Sequence, residues 1–509
     1  MERFLLIVQR LPLAVVLMGI GALAMFLPAS HALILSDYTT GRPFFYMGLL
    51  FSFLTLLVGL ASYGNPKGHP GRDNLLSLIG AFLVLPLMLA VPFNEAVPDT
   101  GLFNSWWEMV SSFTTTGGTL YDAGRLAPSL HLWRATVGWL GGFFMLVVAI
   151  AILAPLRLGG FEVFAAGVMG GTTGAAPMRS ERVADTSERL VYFVMQLAPA
   201  YVGLTTALWI LLILAGDPAL LGLIHAMSVL STSGITPLPM GAHAPSGVAG
   251  EALMLVFFVP ALSRRLWPGG GELRASARIG NDPELRLAAG IVLSVTALLV
   301  LRHWIAAIDV KSAADAGSVF SAVWGGLFTT LSFLTTTGFD STEWSEARQW
   351  SGLGTSGMIL AGVAIVGGGV ATTAGGVRLL RVYALMRHGE RELERLIYPA
   401  SVAGGGTVER RLRREGAYIA WIVFMLFAFA IALVMSVLSF LGMSFEPATV
   451  MTIAALTNTG PLVEVASDTA LDWALLDQGT KFVLALAMVL GRLETLAFIA
   501  LLNPEFWRS

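Results

Sequence analysis

The sequence predicts an all-α polytopic membrane protein whose pore-forming repeats converge on one axis. Three observations carry that prediction. Hydrophobic residues make up 55% of the 509 residues and charged residues only 13%, with a mean hydropathy of +0.74, whereas soluble domains carry about 25% charged residues. Apolar runs long enough to cross about 30 Å of hydrocarbon recur along the whole chain. And one polar pattern, hydroxyl residues followed by glycine, returns four times, as Thr114-Thr115-Thr116-Gly117, Ser231-Thr232-Ser233-Gly234, Thr335-Thr336-Thr337-Gly338 and Thr457-Asn458-Thr459-Gly460. A motif returning at near-equal spacing marks an internal repeat.

Taken in order, candidate spans lie near 12–30, 44–63, 74–93, 132–154, 189–214, 250–266, 285–308, 355–385, 416–441 and 481–502. The first follows Arg3 and Arg10 and ends near Ser30-His31-Ala32. That pattern also fits a cleaved leader, but a retained first helix is the expectation. Four shorter segments, 104–113, 218–230, 318–334 and 446–456, each run into one of the hydroxyl-glycine clusters. Asn104-Ser105, Asp217-Pro218, Ser318 and Glu446-Pro447 supply helix-start signals for them. Each repeat is therefore span, short helix, loop, span. With the N-terminus inside and the short helices re-entering from outside, most of the 31 Lys and Arg fall in cytoplasmic segments, among them Arg264, Arg265, Arg274, Arg278, Arg410, Arg411, Arg413 and Arg414. Glu95, Asp99, Asp340, Glu343, Glu464 and Asp468 fall on the opposite face. This is the positive-inside pattern.

The net charge of −2 gives no global basic field for nucleic acid. The absence of cysteine excludes disulfides and thiolate metal sites, and the seven histidines show no ligand spacing. Irregular backbone at membrane depth must be buried in protein or line a watery cavity. Four such loops on one side are best satisfied around a single axis, where glycine permits backbone conformations that turn carbonyls inward. A carbonyl ring replaces the water shell of a dehydrated cation. The negative C-terminal ends of the four short helices point at the same place, and the flanking hydroxyls are suited to bonding and stiffening the loops.

Two further features stand out. Residues 366–376, VGGGVATTAGG, contain five glycines inside a span. Each costs about 1 kcal/mol against alanine in a helix, so a regular helix is not expected there. No Gly-Lys-Ser/Thr follows, which excludes a nucleotide phosphate loop. Arg492 lies mid-span, where an arginine costs roughly 2.5–3.5 kcal/mol. Glu494 is two residues away and off its helix face, so an ion pair with another span is the alternative to a pore position.

The four loops, GGGVATTAGGVRLLR, LERLIYPASV and VLGRLETLAFIALLNPEFWR together resemble the Trk/Ktr/HKT superfamily of potassium transporters over essentially the full chain. The resemblance implies two extra N-terminal helices before four span–pore-helix–span repeats around one pore, with two chains per dimer. It implies potassium, as substrate, held by carbonyls at Thr115, Thr116, Gly117, Thr232, Ser233, Gly234, Thr336, Thr337, Gly338, Asn458, Thr459 and Gly460. It assigns Gly367, Gly368, Gly369, Thr372, Thr373, Gly375 and Gly376 to a loop that blocks the pore, and Arg492 to the pore below the filter. It implies no bound cofactor, a bacterial inner-membrane location, and a separate cytosolic nucleotide-binding ring seated on the 378–414 stretch. The corresponding segments are 1–70, two N-terminal helices; 71–156, repeat 1; 157–266, a cytoplasmic loop and repeat 2; 267–390, a cytoplasmic loop and repeat 3 with its broken span; and 391–509, a cytoplasmic hairpin and repeat 4. Two filters depart from the family pattern, TSGI in the second and NTGPL in the fourth. A cation-coupled secondary transporter with inverted halves is the rival reading. An intramembrane hydrolase is disfavoured, because neither His225 nor Asp340 has an evident catalytic partner.

Overall fold

A computed structural model describes residues 11–63, 70–154, 186–268, 282–306, 316–351, 356–398, 407–467 and 471–493, together with Gly280. The N-terminal charges Arg3 and Arg10, Asp468, most of the hairpin turn, the side chains of the 410–414 arginines and the tail from Glu494 onward lie outside the described residues.

Every regular element among the described residues is helical. The first apolar run forms two helices, α1 (Leu13–Ala24) and α2 (Phe26–Ile34), joined end to end at Met25 and packed along α3 (Tyr38–Ser62). Leu50, Phe53, Leu56 and Leu60 on α3 are exposed, as expected of a helix whose outer face meets lipid rather than water. Seven of the described helices are long and apolar enough to cross a membrane, and an eighth if one bent pair counts as a single span.

Repeat 1 comprises α4 (Pro70–Leu83) with α5 (Leu85–Ala96), the short helix α6 (Leu102–Phe113) and α7 (Pro128–Val148). Repeat 2 comprises α8 (Thr186–Leu214), α9 (Ala219–Ser231) and α10 (Gly247–Phe258), the last running into two 3₁₀ turns through Leu266. In repeat 3, α11 (Pro283–Ala306) and α12 (Ala316–Leu334) are followed by α13 (Trp344–Ser351) and α14 (Ser356–Val366). A helix does stop at the glycine stretch, and α15 (Leu379–Ile397) starts beyond it. Repeat 4 comprises α16 (Thr407–Phe440), α17 (Phe445–Thr457), the single-turn α18 (Leu462–Ala466) and α19 (Gln478–Leu493).

The short helices lie where the apolar pattern puts them, but the caps expected for α6 and α9 do not form. The helix α6 starts after Gly101, and α9 after Pro218, without a side-chain cap. Asp217 instead accepts the Ser246 N–H at 2.9 Å, tying the start of α9 to the start of α10. Burial among the spans, rather than capping, holds these helices.

The repeats close into a ring through named contacts. The Tyr201 hydroxyl donates to the Trp139 carbonyl at 3.0 Å, joining repeats 2 and 1. The Trp324 indole donates to Glu251 at 2.7 Å, joining 3 and 2. Gly357 sits directly against the Val465 carbonyl, joining 3 and 4. The Trp107 indole donates to the Lys481 carbonyl at 2.9 Å, joining 1 and 4.

Candidate functional site

Each short helix ends in the same hydrogen-bonded turn. The N–H groups of Thr116, Ser233, Thr337 and Thr459 donate to carbonyls five residues back, at 2.8, 2.9, 3.0 and 2.9 Å. The residues just before them, Thr115, Thr232, Thr336 and Asn458, bond three residues back and hold φ of 59°, 54°, 58° and 56°. That pair of bonds around one left-handed residue is the Schellman helix terminus. Glycine or asparagine usually fills that position, and a β-branched residue there is strained. Only the fourth repeat uses asparagine.

The flanking hydroxyls explain how the strain is held. Thr114 bonds Thr116 at 2.8 Å, Ser231 bonds Ser233 at 3.0 Å, Thr335 bonds Thr337 at 3.0 Å and Thr457 bonds Thr459 at 3.2 Å. Thr114, Ser231 and Thr457 also reach back to the carbonyl four residues earlier. The hydroxyl-x-hydroxyl-glycine pattern thus braces one backbone turn four times over.

The glycines then bring the loops together. Gly117, Gly234 and Gly338 have φ of +77°, +63° and +86°. A β-carbon on Gly117 would enter the shell of the Ser233 carbonyl oxygen, and one on Gly234 that of the Thr337 carbonyl oxygen. One on Gly338 would meet the Pro461 ring at 3.2 Å, and one on Gly460 the Thr116 carbonyl oxygen at 2.6 Å. The loops therefore succeed one another in chain order, 1 to 2 to 3 to 4 and back to 1.

The fourth loop breaks the equivalence that the sequence pattern suggests. Gly460 does not take a positive φ. Its N–H donates to the Thr116 carbonyl at 2.6 Å. The Asn458 amide donates to the Thr116 hydroxyl at 3.0 Å and to the Met488 carbonyl at 2.9 Å. Pro461 then leads at once into α18.

Glycine loop 367–376 is bonded to the hydroxyl-glycine loops. The Thr232 hydroxyl donates to the Thr373 carbonyl at 2.8 Å, and the Gly375 N–H donates to the Thr336 hydroxyl at 2.8 Å. A β-carbon on Gly375 would enter the shell of the Thr457 carbonyl oxygen. Residues of repeats 2, 3 and 4 thus meet this one segment. Its other side is held by Ala261, whose carbonyl accepts the Gly369 N–H at 2.9 Å and the Thr372 hydroxyl at 3.0 Å. Gly367 and Gly376 take φ of +72° and +78° where the segment turns, while Gly368 and Gly369 pack on Ala261 and Leu262.

Arg492 is 1% exposed, and among the described residues none of its guanidinium nitrogens has a hydrogen-bond partner. Among the described residues no carboxylate forms an ion pair with it. Its neighbouring Gly491 packs on the Leu456 carbonyl at the end of the fourth short helix.

Several polar residues around these loops escape a reading based on repeated motifs. Glu108 pairs with Arg134 at 2.5 Å, both buried, and accepts the Leu120 N–H at 2.9 Å. Glu251 accepts the Ser341 hydroxyl and the Thr342 N–H, each at 2.6 Å. Glu284 accepts the Val370 N–H at 2.9 Å, and the Arg378 guanidinium bonds the Gly369 and Ala374 carbonyls. Glu108 and Glu251 are lone charges in apolar runs, and that isolation was the available signal; Glu284 and Arg378 have charged sequence neighbours, Asp282, Arg286 and Arg381, and offered none. Glu108 and Glu251 hold the chain leaving loops 1 and 3; Glu284 and Arg378 hold the glycine loop.

A cavity of about 390 Å³ opens on the loop glycines Gly117, Gly234 and Gly338 and on Pro461. Asp340, Glu464 and Asp472 line it, with His225, His243 and Arg125 on its walls. Burial, then the negative charges of Asp340 and Asp472, push the Glu464 carboxyl up to about 7. Burial also raises Asp340, against the opposing pull of His243.

A family model described as TrkH, cation transport protein, matches residues 287–507. A Trk system potassium uptake protein TrkH of Salmonella typhimurium is 28% identical over 496 residues, 95% of this chain and 96% of the relative. One of the same name from Vibrio parahaemolyticus is 26% identical over 507 residues, 97% of this chain and 98% of the relative. The crystal structure of the potassium transporter TrkH from Vibrio parahaemolyticus superposes with a TM-score of 0.77 at 25% identity, covering 98% of this chain and 99% of that one. Over nearly its whole length the chain is similar to TrkH-type cation transport proteins. That TrkH-type likeness runs through all four repeats, so the ring of loops and the glycine segment sit on the architecture of a multi-pass membrane transporter.

Proposed function

We propose that this protein, similar to TrkH-type transporters, conducts potassium into the cell across the bacterial inner membrane. The cation is held by the carbonyls of Thr115, Thr116 and Gly117, of Thr232, Ser233 and Gly234, of Thr336, Thr337 and Gly338, and of Asn458 and Thr459, with Gly460 completing the fourth loop. The observation that carries this reading is the closed succession of four loops, each ending a short helix with the same hydrogen-bonded turn. Such a ring supplies carbonyl oxygens and the negative ends of four helix dipoles to a dehydrated cation. The same turn in all four repeats speaks against two inverted halves.

Glycine loop 367–376 and Arg492 form the gate on this reading. The loop bonds directly to filter residues, and an unpartnered buried guanidinium sits near the end of the fourth short helix. A fixed positive charge there opposes a cation until the loop and the arginine are rearranged. The vestibule beside Asp340 and Glu464 is then the external mouth, and four repeats with the boundaries given above follow the two N-terminal helices. Two such chains form a dimer, and a cytosolic nucleotide-binding ring seated on the basic 378–414 stretch moves the gate. The exposed Arg387–Glu390 and Arg395–Glu392 pairs on α15 give that surface alternating charge.

The test is potassium flux into liposomes containing the purified protein, with and without sodium, alongside complementation of a potassium-uptake-deficient bacterium at low external potassium. Absence of cation flux in both, with the protein correctly assembled, would overturn the proposal.

A further inference from the structure

Resting on the reading of these loops as a potassium filter, we infer that Pro461 is a specificity-determining residue: it closes the fourth quadrant of the filter's external end, leaving a mouth of three carbonyls instead of four. Three independent features converge on it. Gly460 lacks the left-handed backbone that Gly117, Gly234 and Gly338 share. Its N–H is spent on the Thr116 carbonyl at 2.6 Å, so one filter oxygen of repeat 1 already has a donor. Finally, the pyrrolidine ring lies over two neighbouring loops, 2.9 Å from a β-carbon position on Gly234 and 3.2 Å from that on Gly338. The vestibule floor accordingly consists of three glycines and one proline ring.

The chemistry of that quadrant differs from the other three. A proline ring presents methylene groups, offers no N–H and cannot replace a cation's water. The chain cannot swing the Gly460 carbonyl into line by local rotation, because α18 starts immediately and buries Leu462 and Val463 completely. A cation arriving from the vestibule therefore meets a lopsided ring. It must keep part of its hydration there and shed it only deeper, at the level of Thr115, Thr232, Thr336 and Asn458. An incomplete external ring discriminates weakly by size, so selection falls on the inner ring, and the proline sets how wide the external opening is.

The experiment compares the parent protein with Pro461→Ala and Pro461→Gly. One measurement is the relative flux of potassium, rubidium and caesium into liposomes. The other is thallium(I) anomalous density in crystals. We expect caesium flux relative to potassium to rise at least threefold in both variants. Thallium is expected at the inner ring in the parent and additionally at the Gly117–Gly234–Gly338 level in Pro461→Gly. Unchanged flux ratios in assembled protein, or a thallium ion already coordinated at that outer level in the parent, would overturn the inference. If Pro461→Ala fails to assemble, the thallium positions in the parent still decide it. A parent that carries no cation at all would instead sink the potassium-filter reading, so the two failures are distinguishable.

Discussion

Alanine substitution at the three left-handed filter glycines should give a graded result. All three substitutions carry the same backbone strain, because all three positions have positive φ, and an L-residue there costs roughly 1–2 kcal/mol. What differs is the neighbour. A β-carbon on Gly117 faces the Ser233 carbonyl and one on Gly234 faces the Thr337 carbonyl, both closer than 3.0 Å and both backbone. An ordinary contact needs about 3.5 Å, so each of those filter oxygens must move by more than about 1 Å. On Gly338 the nearest atoms to the β-carbon are those of the Pro461 ring, at 3.2 Å, and a few tenths of an ångström suffice. Displacing one oxygen of a coordinating ring by 1 Å should cost potassium at least about 1.4 kcal/mol relative to sodium, a tenfold loss of selectivity. The assay is the potassium/sodium permeability ratio of reconstituted, correctly assembled protein. Gly117→Ala and Gly234→Ala should lower it tenfold or more, while Gly338→Ala stays within about threefold. A bulkier Gly338→Ser should fall between. Equal losses at all three positions, or a normal ratio in Gly117→Ala, would refute the reasoning from carbonyl contacts.

Three other outcomes follow from the surroundings. Glu284→Ala removes the acceptor of the buried Val370 N–H, and leaving that donor unsatisfied costs about 1–3 kcal/mol, so basal flux without any regulator should rise at least fivefold, whereas Glu284→Gln should retain most of the closure. Arg492→Ala should raise basal flux and Arg492→Lys should not; at an effective dielectric of 20, unit charges about 6 Å apart repel by nearly 3 kcal/mol, and unchanged flux in the alanine variant at normal yield would place the arginine off the permeation path. Because Glu464 titrates near 7, the vestibule carries its full negative charge above that pH and loses it below. The external potassium concentration for half-maximal uptake should therefore rise as pH falls from 8 to 6, and Glu464→Gln should flatten that dependence.

The four loops were legible because a short motif repeated, and repetition separates function from packing where any single Thr-Gly pair does not. The glycine break was legible because five glycines cannot continue a helix cheaply. The pattern could not show which carbonyls the glycines approach, because that depends on contacts between residues a hundred positions apart. It treated Gly460 as equivalent to Gly117, Gly234 and Gly338, yet the turn into α18 removes its left-handed backbone. Asp217 read as a helix cap and became instead a tie to Ser246, since a buried carboxylate takes whichever N–H the fold brings near. Glu108 and Glu251 were missed because each is a single carboxylate in an apolar run, and Glu284 because it sits between Asp282 and Arg286 like any charge at a helix start; none of them announces its donor.

The closed ring of four loops has a further consequence for how such a protein changes over generations. A tetramer of identical subunits feels every coding change four times, so intermediate variants of its pore are inaccessible. Here the four quarters are encoded separately, and a change in one leaves the other three in place. Selectivity and conductance can therefore drift in quarter steps, and the quarters need not remain alike. A single asparagine or serine in one loop, as at Asn458 or Ser233, is a variation that a fourfold assembly could sample only all at once.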